Sequence, residues 1–220
     1  FQYTFVHTTI MKTHLENLNW RYATKRFDEN KKISAEDLSA LKEAVRLSAS
    51  SYGLQPYHVL VIEDEKVKEQ LREAAFNQPQ LTESSQVFVF ASYTEVKEEY
   101  IQDYMKNVAE TRGVDLADLE GYANMIKGAS MTLPQDQQAV WTAKQAYIAL
   151  GFLLNAAATL KIDACPMEGY NGEEFDKILG LKEKGLTTAV IATVGYRSEE
   201  DATQNNKKVR KSTEDLFINI

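Results

Sequence analysis

Gln135-Asp136-Gln137-Gln138-Ala139-Val140-Trp141-Thr142-Ala143-Lys144-Gln145-Ala146-Tyr147-Ile148-Ala149-Leu150-Gly151-Phe152-Leu153-Leu154-Asn155-Ala156-Ala157-Ala158-Thr159-Leu160 is the longest helical pattern in the chain. Ala139, Ala143, Ala146, Tyr147, Leu150, Leu153, Leu154 and Ala157 recur almost all round the helical circumference, and a helix apolar all round is a buried one. The stretch is therefore read as a central helix about which a domain is built. Gly151 and Asn155 break its apolar run short of the roughly 18 residues that suggest a membrane span.

Outward from that helix, strands and helices alternate irregularly. Ser34 stands before Ala35-Glu36-Asp37 as a near capping box, and Leu38, Leu41 and Val45 keep helical spacing, which predicts a helix over about 35–48. Ser50 to Pro56 is loop chemistry. Residues 57–62 and 86–91, rich in β-branched and aromatic side chains, are buried strands, with a helix over about 66–76 between them. Residues 97–108 are read as a polar helix and 113–134 as a mobile excursion of the kind that covers sites. After the central helix come a short strand over 162–165, a helix over about 173–179 and a strong strand over 187–196. Residues 216–220 alternate weakly and could form an edge strand.

This order lacks the regular βαβ spacing of a doubly wound sheet and has no repeat, linker or low-complexity tract, so the reading is one α+β layer domain. Residues 1–10 precede Met11 and lack the basic start, long apolar core and small-residue cleavage site of a signal peptide. They are expected to be added or disordered residues, with Met11 the native start and 11–220 a single domain. At 220 residues, 44% hydrophobic and 26% charged, the composition is that of an ordinary globular protein. A net charge of −7 disfavours nucleic acid or an anionic membrane as partner. The single cysteine, Cys165, excludes an intramolecular disulfide and fits a reducing compartment, so a cytoplasmic location is expected.

Neither a dinucleotide fingerprint nor a P-loop is present, so a nucleotide must be held otherwise. Two clusters, Arg21-Tyr22-Ala23-Thr24-Lys25-Arg26-Phe27 and Lys207-Lys208-Val209-Arg210-Lys211, are strongly basic in an acidic chain. Arg and Lys from separate segments can converge on a phosphate, through a bidentate fork and a point charge. A solvated basic face is the commoner meaning of such clusters. His7, His14 and His58 lie in no ligand spacing with Cys165, so no metal site is expected. Cys165, ending a strand, is read as a buried small hydrophobe rather than a nucleophile.

Arg21 through Phe27, the Ser-Ser-x-x-x-Gln-Pro of Ser50 to Pro56, Phe76-Asn77, Trp141-x-Ala-Lys-Gln-x-Tyr, Pro166-x-Glu-Gly and Leu181-Lys-Glu-Lys-Gly leading into a strand stand in a specific order. Together they resemble the FMN-dependent nitroreductase family, in its group of oxygen-insensitive nitroreductases and dihydropteridine-type reductases, from about Leu15 to Arg210. The resemblance implies a sandwich with a mixed, mostly antiparallel sheet flanked by helices and a C-terminal extension onto the partner of a homodimer.

The same resemblance implies FMN as cofactor and NAD(P)H as cosubstrate. Hydride would pass through flavin N5 to a nitroaromatic, quinone or similar small electron-poor acceptor, in ping-pong order. Arg21 would serve the FMN phosphate, Lys25 the pyrimidine edge, and Tyr22 and Ala23 would lie between them, Ala23 replacing a frequent serine. Ser50, Ser51, Tyr52, Gly53 and Gln55 would line the flavin of the partner subunit, Gly53 standing where asparagine is frequent. Asn77 would meet the isoalloxazine edge, and Gln80 stands where some members carry lysine. Pro166, Met167, Glu168 and Gly169 would form the turn whose backbone N–H, at Glu168 or Gly169, points toward N5, so no side-chain acid or base is called for. Lys208 and Arg210 would close on the phosphate, and Tyr122, with Met125 beside it, would gate the substrate. Two alternatives stay open: a dihydropteridine reductase or other reductase on the same scaffold, and a non-catalytic flavin-binding or storage protein.

Overall fold

The computed structural model describes residues 2–220, with side chains from Ile10 onward. Helix α1 (Gln2–Trp20) leads into an extended segment over 21–27, followed by α2 (Ala35–Arg46), β1 (Tyr57–Ile62), α3 (Glu65–Ala74), α4 (Gln80–Glu83) and β2 (Gln86–Tyr93). Then come α5 (Glu98–Arg112), α6 (Glu120–Ser130), α7 (Gln135–Thr159), β3 (Asp163–Met167), α8 (Gly172–Ile178), β4 (Leu186–Gly195) and the short α9 (Thr213–Leu216). Ser34 caps α2 as its spacing predicts, its hydroxyl accepting the Asp37 N–H at 3.0 Å.

The four strands form one sheet in the order β1-β2-β4-β3, and every strand pair is antiparallel. The parallel component of the expected mixed sheet is a single bridge between Ala23 and Ala164. Alternation along β2 explains the layers. Phe88 and Phe90 pack with Leu41, Val45, Ala146, Leu150 and Leu153 under α2 and α7. Val87 and Val89 point the other way, onto Leu71, Ala75, Leu81 and Phe175 of the α3, α4 and α8 side. Helices cover both faces, so the central strands read as continuous apolar runs.

Helix α7 is central, but its apolar surface is divided. Ala146, Ala149, Leu150, Leu153 and Ala157 are buried, whereas Val140, Tyr147, Ile148 and Phe152 form an exposed stripe, each at least 40% exposed. Its buried polar residues tie down neighbouring loops. Gln138 accepts from the Val96 N–H at 2.8 Å, Thr142 donates to the Tyr93 carbonyl at 2.6 Å and Gln145 accepts from the Ser51 N–H at 2.8 Å.

Two expectations are corrected. Residues 113–134 are an ordered helical hairpin with α5, since Ala123 and Ile126 of α6 bury against Ile101 and Met105. Gly121 and Gly128 hide that periodicity in the sequence. Residues 216–220 pair with no strand among the described residues: Ser212 caps α9 through the Asp215 N–H, and the residues after it are exposed. Of residues 1–10, Phe1 lies outside the described residues and the others continue α1.

Gly195, at the end of β4, is where the extended segment closes on the sheet. A Cβ there would stand 2.9 Å from a ring carbon of Phe27 and 3.1 Å from the Ser85 backbone nitrogen. The ring can yield but the backbone cannot. Gly195→Ala is therefore expected to destabilise the fold by about 1–3 kcal/mol in urea unfolding. An unchanged midpoint would mean that this end of the sheet is loosely packed.

Candidate functional site

The extended segment over 21–27 is locked before it offers any charge. Ala23 bridges to Ala164 of β3 and Phe27 to Arg197, just beyond β4, and buried Phe27 and Thr24 anchor it inward. The Arg197 guanidinium donates to buried Asp163 at 2.9 Å and lies between two aromatic faces, 4.4 Å from the Trp20 ring centre and 4.6 Å from that of Tyr22. Lys161 covers Trp20 at 4.8 Å. Arg26 turns away, its single Nε–H shared between the two carboxylate oxygens of Glu83 at 2.8 and 2.9 Å.

What remains facing outward is basic. Arg21, Tyr22, Ala23 and Lys25 line a cavity of about 370 Å³ together with Thr203, Gln204, Lys207, Lys208 and Arg210. The Lys208 ammonium donates to the Arg21 carbonyl. Burial, then the nearness of Arg210, pulls the Arg21 pKa below its ordinary value despite a small opposing effect of Cys165. Lys208 is lowered by burial, then by Arg21 and Arg210. The Arg21 Nε is buried with no hydrogen-bond partner among the described residues. Convergent cations with an unsatisfied donor form a site that an anion would complete.

Beside it, the Lys25 ammonium lies 3.9 Å from the Cys165 sulfur, and buried Gln80 adjoins the same thiol, its Oε1 unpartnered among the described residues. Burial pushes the Cys165 thiol up, against the pull of Lys25, so it stays a neutral wall. From Cys165 the strand runs through Pro166 and Met167 to the exposed turn at Glu168 and Gly169. That turn is gripped twice. Tyr147 donates to the Glu168 carboxylate at 2.6 Å, and the Gln78 amide donates to the Gly169 carbonyl at 2.6 Å. Burial, then the Glu168 contact, pushes the Tyr147 hydroxyl up to about 12. Asn77 is exposed beside Gln78, in a left-handed conformation at φ 59°.

The structure thus gathers Arg21, Tyr22, Ala23, Lys25, Lys208 and Arg210 around one cavity, with Gln80 and the strand leading to the Pro166–Gly169 turn adjoining. Two of these have limited reach. The Met167 side chain is buried in the core, leaving its backbone alone for a ligand, and the Tyr22 hydroxyl is already donated to Asp201 at 2.9 Å.

Ser50, Ser51, Tyr52, Gly53 and Gln55 do not line that cavity. The Ser51 N–H is held by Gln145, the Ser50 hydroxyl accepts the Gln55 N–H at 2.9 Å, and the Gln55 amide donates to the Arg46 carbonyl at 2.9 Å. Tyr52 and Gly53 are left-handed, at φ 59° and 75°. Tyr104 and Tyr122 both donate to the Tyr52 carbonyl at 2.8 Å, so Tyr122 is a fixed strut on α6 rather than an aromatic on a loose excursion.

Sequence reading missed Asp201, Gln78, Tyr104 and Gln145, whose roles are contacts between distant segments. Only Tyr104 and Gln145 carried a signal, as polar groups on predicted helices. Asp201 is 1% exposed. Its carboxylate accepts from the Tyr22 hydroxyl, the Lys25 N–H at 2.7 Å, the Arg26 N–H at 3.2 Å, and the Thr203 N–H and hydroxyl at 2.9 and 2.6 Å. Burial alone would push it up, but those bonds outweigh burial and hold it at about 2.

Comparison with known proteins bears on this geometry. Residues 18–196 match the family model described as the nitroreductase family. The chain is 35% identical to the major NAD(P)H-flavin oxidoreductase of Aliivibrio fischeri, over 92% of this chain and 96% of that protein. It is 33% identical to an oxygen-insensitive NAD(P)H nitroreductase of Salmonella typhimurium, over 91% of this chain and 96% of that one. A protein of Exiguobacterium sibiricum described as a nitroreductase, solved in complex with FMN, superposes with a TM-score of 0.79 at 21% identity, over 93% of this chain and 96% of its own.

The loop at Tyr52 gives a test of its own. A Cβ on Gly53 would stand 2.5 Å from the Tyr104 hydroxyl, in a backbone conformation that already disfavours one. Gly53→Ala is expected to cost about 1–3 kcal/mol by thermal unfolding, and at least about 0.5 kcal/mol less in a Tyr104→Phe background. Strict additivity of the two changes would rule out the contact.

Proposed function

This chain belongs to the nitroreductase family and is an NAD(P)H-dependent flavin oxidoreductase with FMN as its cofactor, and from that premise we propose that it reduces nitroaromatic, quinone or similar electron-poor acceptors in ping-pong order. The observation that carries the placement of the cofactor is the unsatisfied cationic cavity. Buried Arg21 Nε, Lys208 and Arg210 fit a phosphate monoester, since burial and then the neighbouring cations disfavour the charges of Arg21 and Lys208 until an anion is present. FMN ends in such a group.

Bound there, FMN would supply hydride chemistry, accepting from NAD(P)H and giving to the acceptor. Arg21, Lys208 and Arg210 would hold the phosphate. Lys25, with Gln80 beside it, would face the pyrimidine edge, stabilising negative charge that develops there. The grips of Tyr147 and Gln78 would fix the Glu168 and Gly169 N–H groups in one direction, so that the turn orients the reacting ring through its backbone. Donor and acceptor would use the same opening in turn, which is the origin of ping-pong order. Tyr122, tied to the Tyr52 carbonyl, would border the opening of the partner's site together with the Ser50 to Gln55 loop.

A homodimer is part of the proposal. The exposed stripe of Val140, Tyr147, Ile148 and Phe152 on α7 is the kind of apolar surface that a second copy covers. The Ser50 to Gln55 loop, held apart from its own chain's cavity, would then serve the partner's. Leu216, Phe217 and Ile218 are exposed, and β1 is an open edge strand lined by a groove of about 490 Å³ that includes Tyr57, Val59 and Val61. The C-terminal segment of one copy would close that edge on the other.

Two measurements test this. Arg21→Ala is expected to weaken FMN binding roughly ten- to hundredfold, from the loss of about 1.5–3 kcal/mol of charged hydrogen bonding, and excess FMN should restore most activity. Lys25→Ala should instead stay slow in stopped-flow reduction by NADPH at saturating FMN. The opposite pattern would exchange the two roles. In sedimentation at micromolar concentration, the parent chain should be a dimer and a chain ending at Lys211 should dissociate at least about tenfold more readily; a flavin-loaded monomer would end the dimer proposal.

A further inference from the structure

The cationic cavity has two walls from opposite ends of the chain. One is the extended segment over 21–27; the other is the segment over 203–210. Like charges face each other across it, so something other than those charges holds the walls together.

We propose that Asp201 is a positioning residue for anion binding, a carboxylate clasp that joins the two walls so that Arg21, Lys208 and Arg210 meet one phosphate monoester. The proposal rests on the phosphate reading of the cavity given above. Oδ2 of Asp201 accepts the Tyr22 hydroxyl, the Lys25 N–H and the Arg26 N–H, all from the first wall. Oδ1 accepts the N–H and hydroxyl of Thr203, where the second wall begins. One carboxylate thus takes five donors from segments more than 170 residues apart in sequence.

Nearer the sheet, the Ser198 N–H donates to the Arg26 carbonyl at 3.0 Å and Phe27 bridges to Arg197, so the two segments enter side by side; beyond Ser198 the links other than Asp201 are weaker or are made by the cations themselves. Exposed Glu200 reaches Arg26 only at 3.7 Å. The Lys208 ammonium touches the Arg21 carbonyl, a contact made by one of the mutually repelling cations themselves. Past Thr203 and Gln204 the chain is largely exposed as far as Arg210, whose side chain bonds only its neighbour's carbonyl at Val209 among the contacts seen. Asp201 is therefore the last buried tie to the first wall before the chain turns toward Lys208 and Arg210.

An amide cannot replace this group. In either orientation an asparagine would aim its NH₂ at N–H and O–H donors, on the three-donor side or on the Thr203 side. Asp201→Asn keeps the shape while breaking one half of the clasp.

The test is FMN binding to the full-length apoprotein, followed by quenching of FMN fluorescence, in a cycle of variants. Asp201→Asn is expected to raise the Kd for FMN at least tenfold. In a chain already carrying Lys208→Ala and Arg210→Ala, the same change should raise it less than threefold, because the cations through which Asp201 acts are gone. A purely structural carboxylate would weaken FMN equally in both backgrounds, which would overturn the proposal, as would a folded Asp201→Asn protein with a Kd within twofold of the parent. Should Asp201→Asn fail to fold, Thr203→Val, which removes one donor, decides: a two- to fivefold weakening that vanishes in the double-alanine background supports the clasp, and an unchanged Kd or an equal effect in both backgrounds refutes it. A parent chain that binds no FMN would instead overturn the phosphate reading, and the clasp with it.

Discussion

Arg21, Lys208 and Arg210 come from opposite ends of the chain, and burial and then the neighbouring cations disfavour the charges of Arg21 and Lys208, so their convergence depends on what surrounds them. The surroundings are built in layers. Buried Asp163 pairs with half-buried Arg197 at the margin of the sheet, the guanidinium lying against Trp20 and Tyr22, and Glu83 draws Arg26 off to the other side. These pairs take up Arg197 and Arg26 and fix the backbone from which the remaining cations face the cavity. Taking the arginine out of either pair strands a buried carboxylate, Asp163 or Glu83, which typically costs about 3–5 kcal/mol, so the frame tolerates little change.

The sheet makes that frame stiff. Its two central strands are buried on both faces, and the core between α7 and α3 admits few alternative packings. Helix α7 adds a second kind of rigidity through polar side chains that cap loops otherwise left without partners. The hold of Gln145 on the Ser51 N–H and of Tyr104 and Tyr122 on the Tyr52 carbonyl keeps two left-handed residues in place. The loop and the α5–α6 hairpin are consequently one mechanical unit. A ligand that displaces Tyr122 also disturbs the backbone next to Ser51.

Local pattern was enough for much of the fold. The strand at 57–62 has the expected bounds, the central helix differs by a residue, and Ser34 caps as its spacing predicts. Strong periodicity and capping are short-range properties, which one sequence displays directly. The hairpin over 113–134 was hidden because Gly121 and Gly128 dilute its apolar stripe, and its stability comes from Ile101 and Met105 of another helix. Residues 216–220 have strand-like alternation but no strand beside them among the described residues. At the candidate site, the basic clusters could be seen as clusters, and the resemblance of their motifs put them in one place. Asp201 and Gln78 could not be seen, for an aspartate in an acidic tail and a glutamine in a turn look like solvated residues until the fold brings donors or acceptors to them. The all-round apolar look of α7 concealed the polar pins on one side and the exposed stripe on the other.

The central claim is that the convergent cations form a phosphate site. Its most direct test compares FMN with riboflavin, which lacks the phosphate, on the unaltered apoprotein at low and at high salt. The account predicts that FMN binds at least about tenfold more tightly at low salt, through charge-assisted hydrogen bonds to the phosphate, and that this advantage narrows as salt screens the cations. Equal affinity for the two flavins at low salt would contradict it.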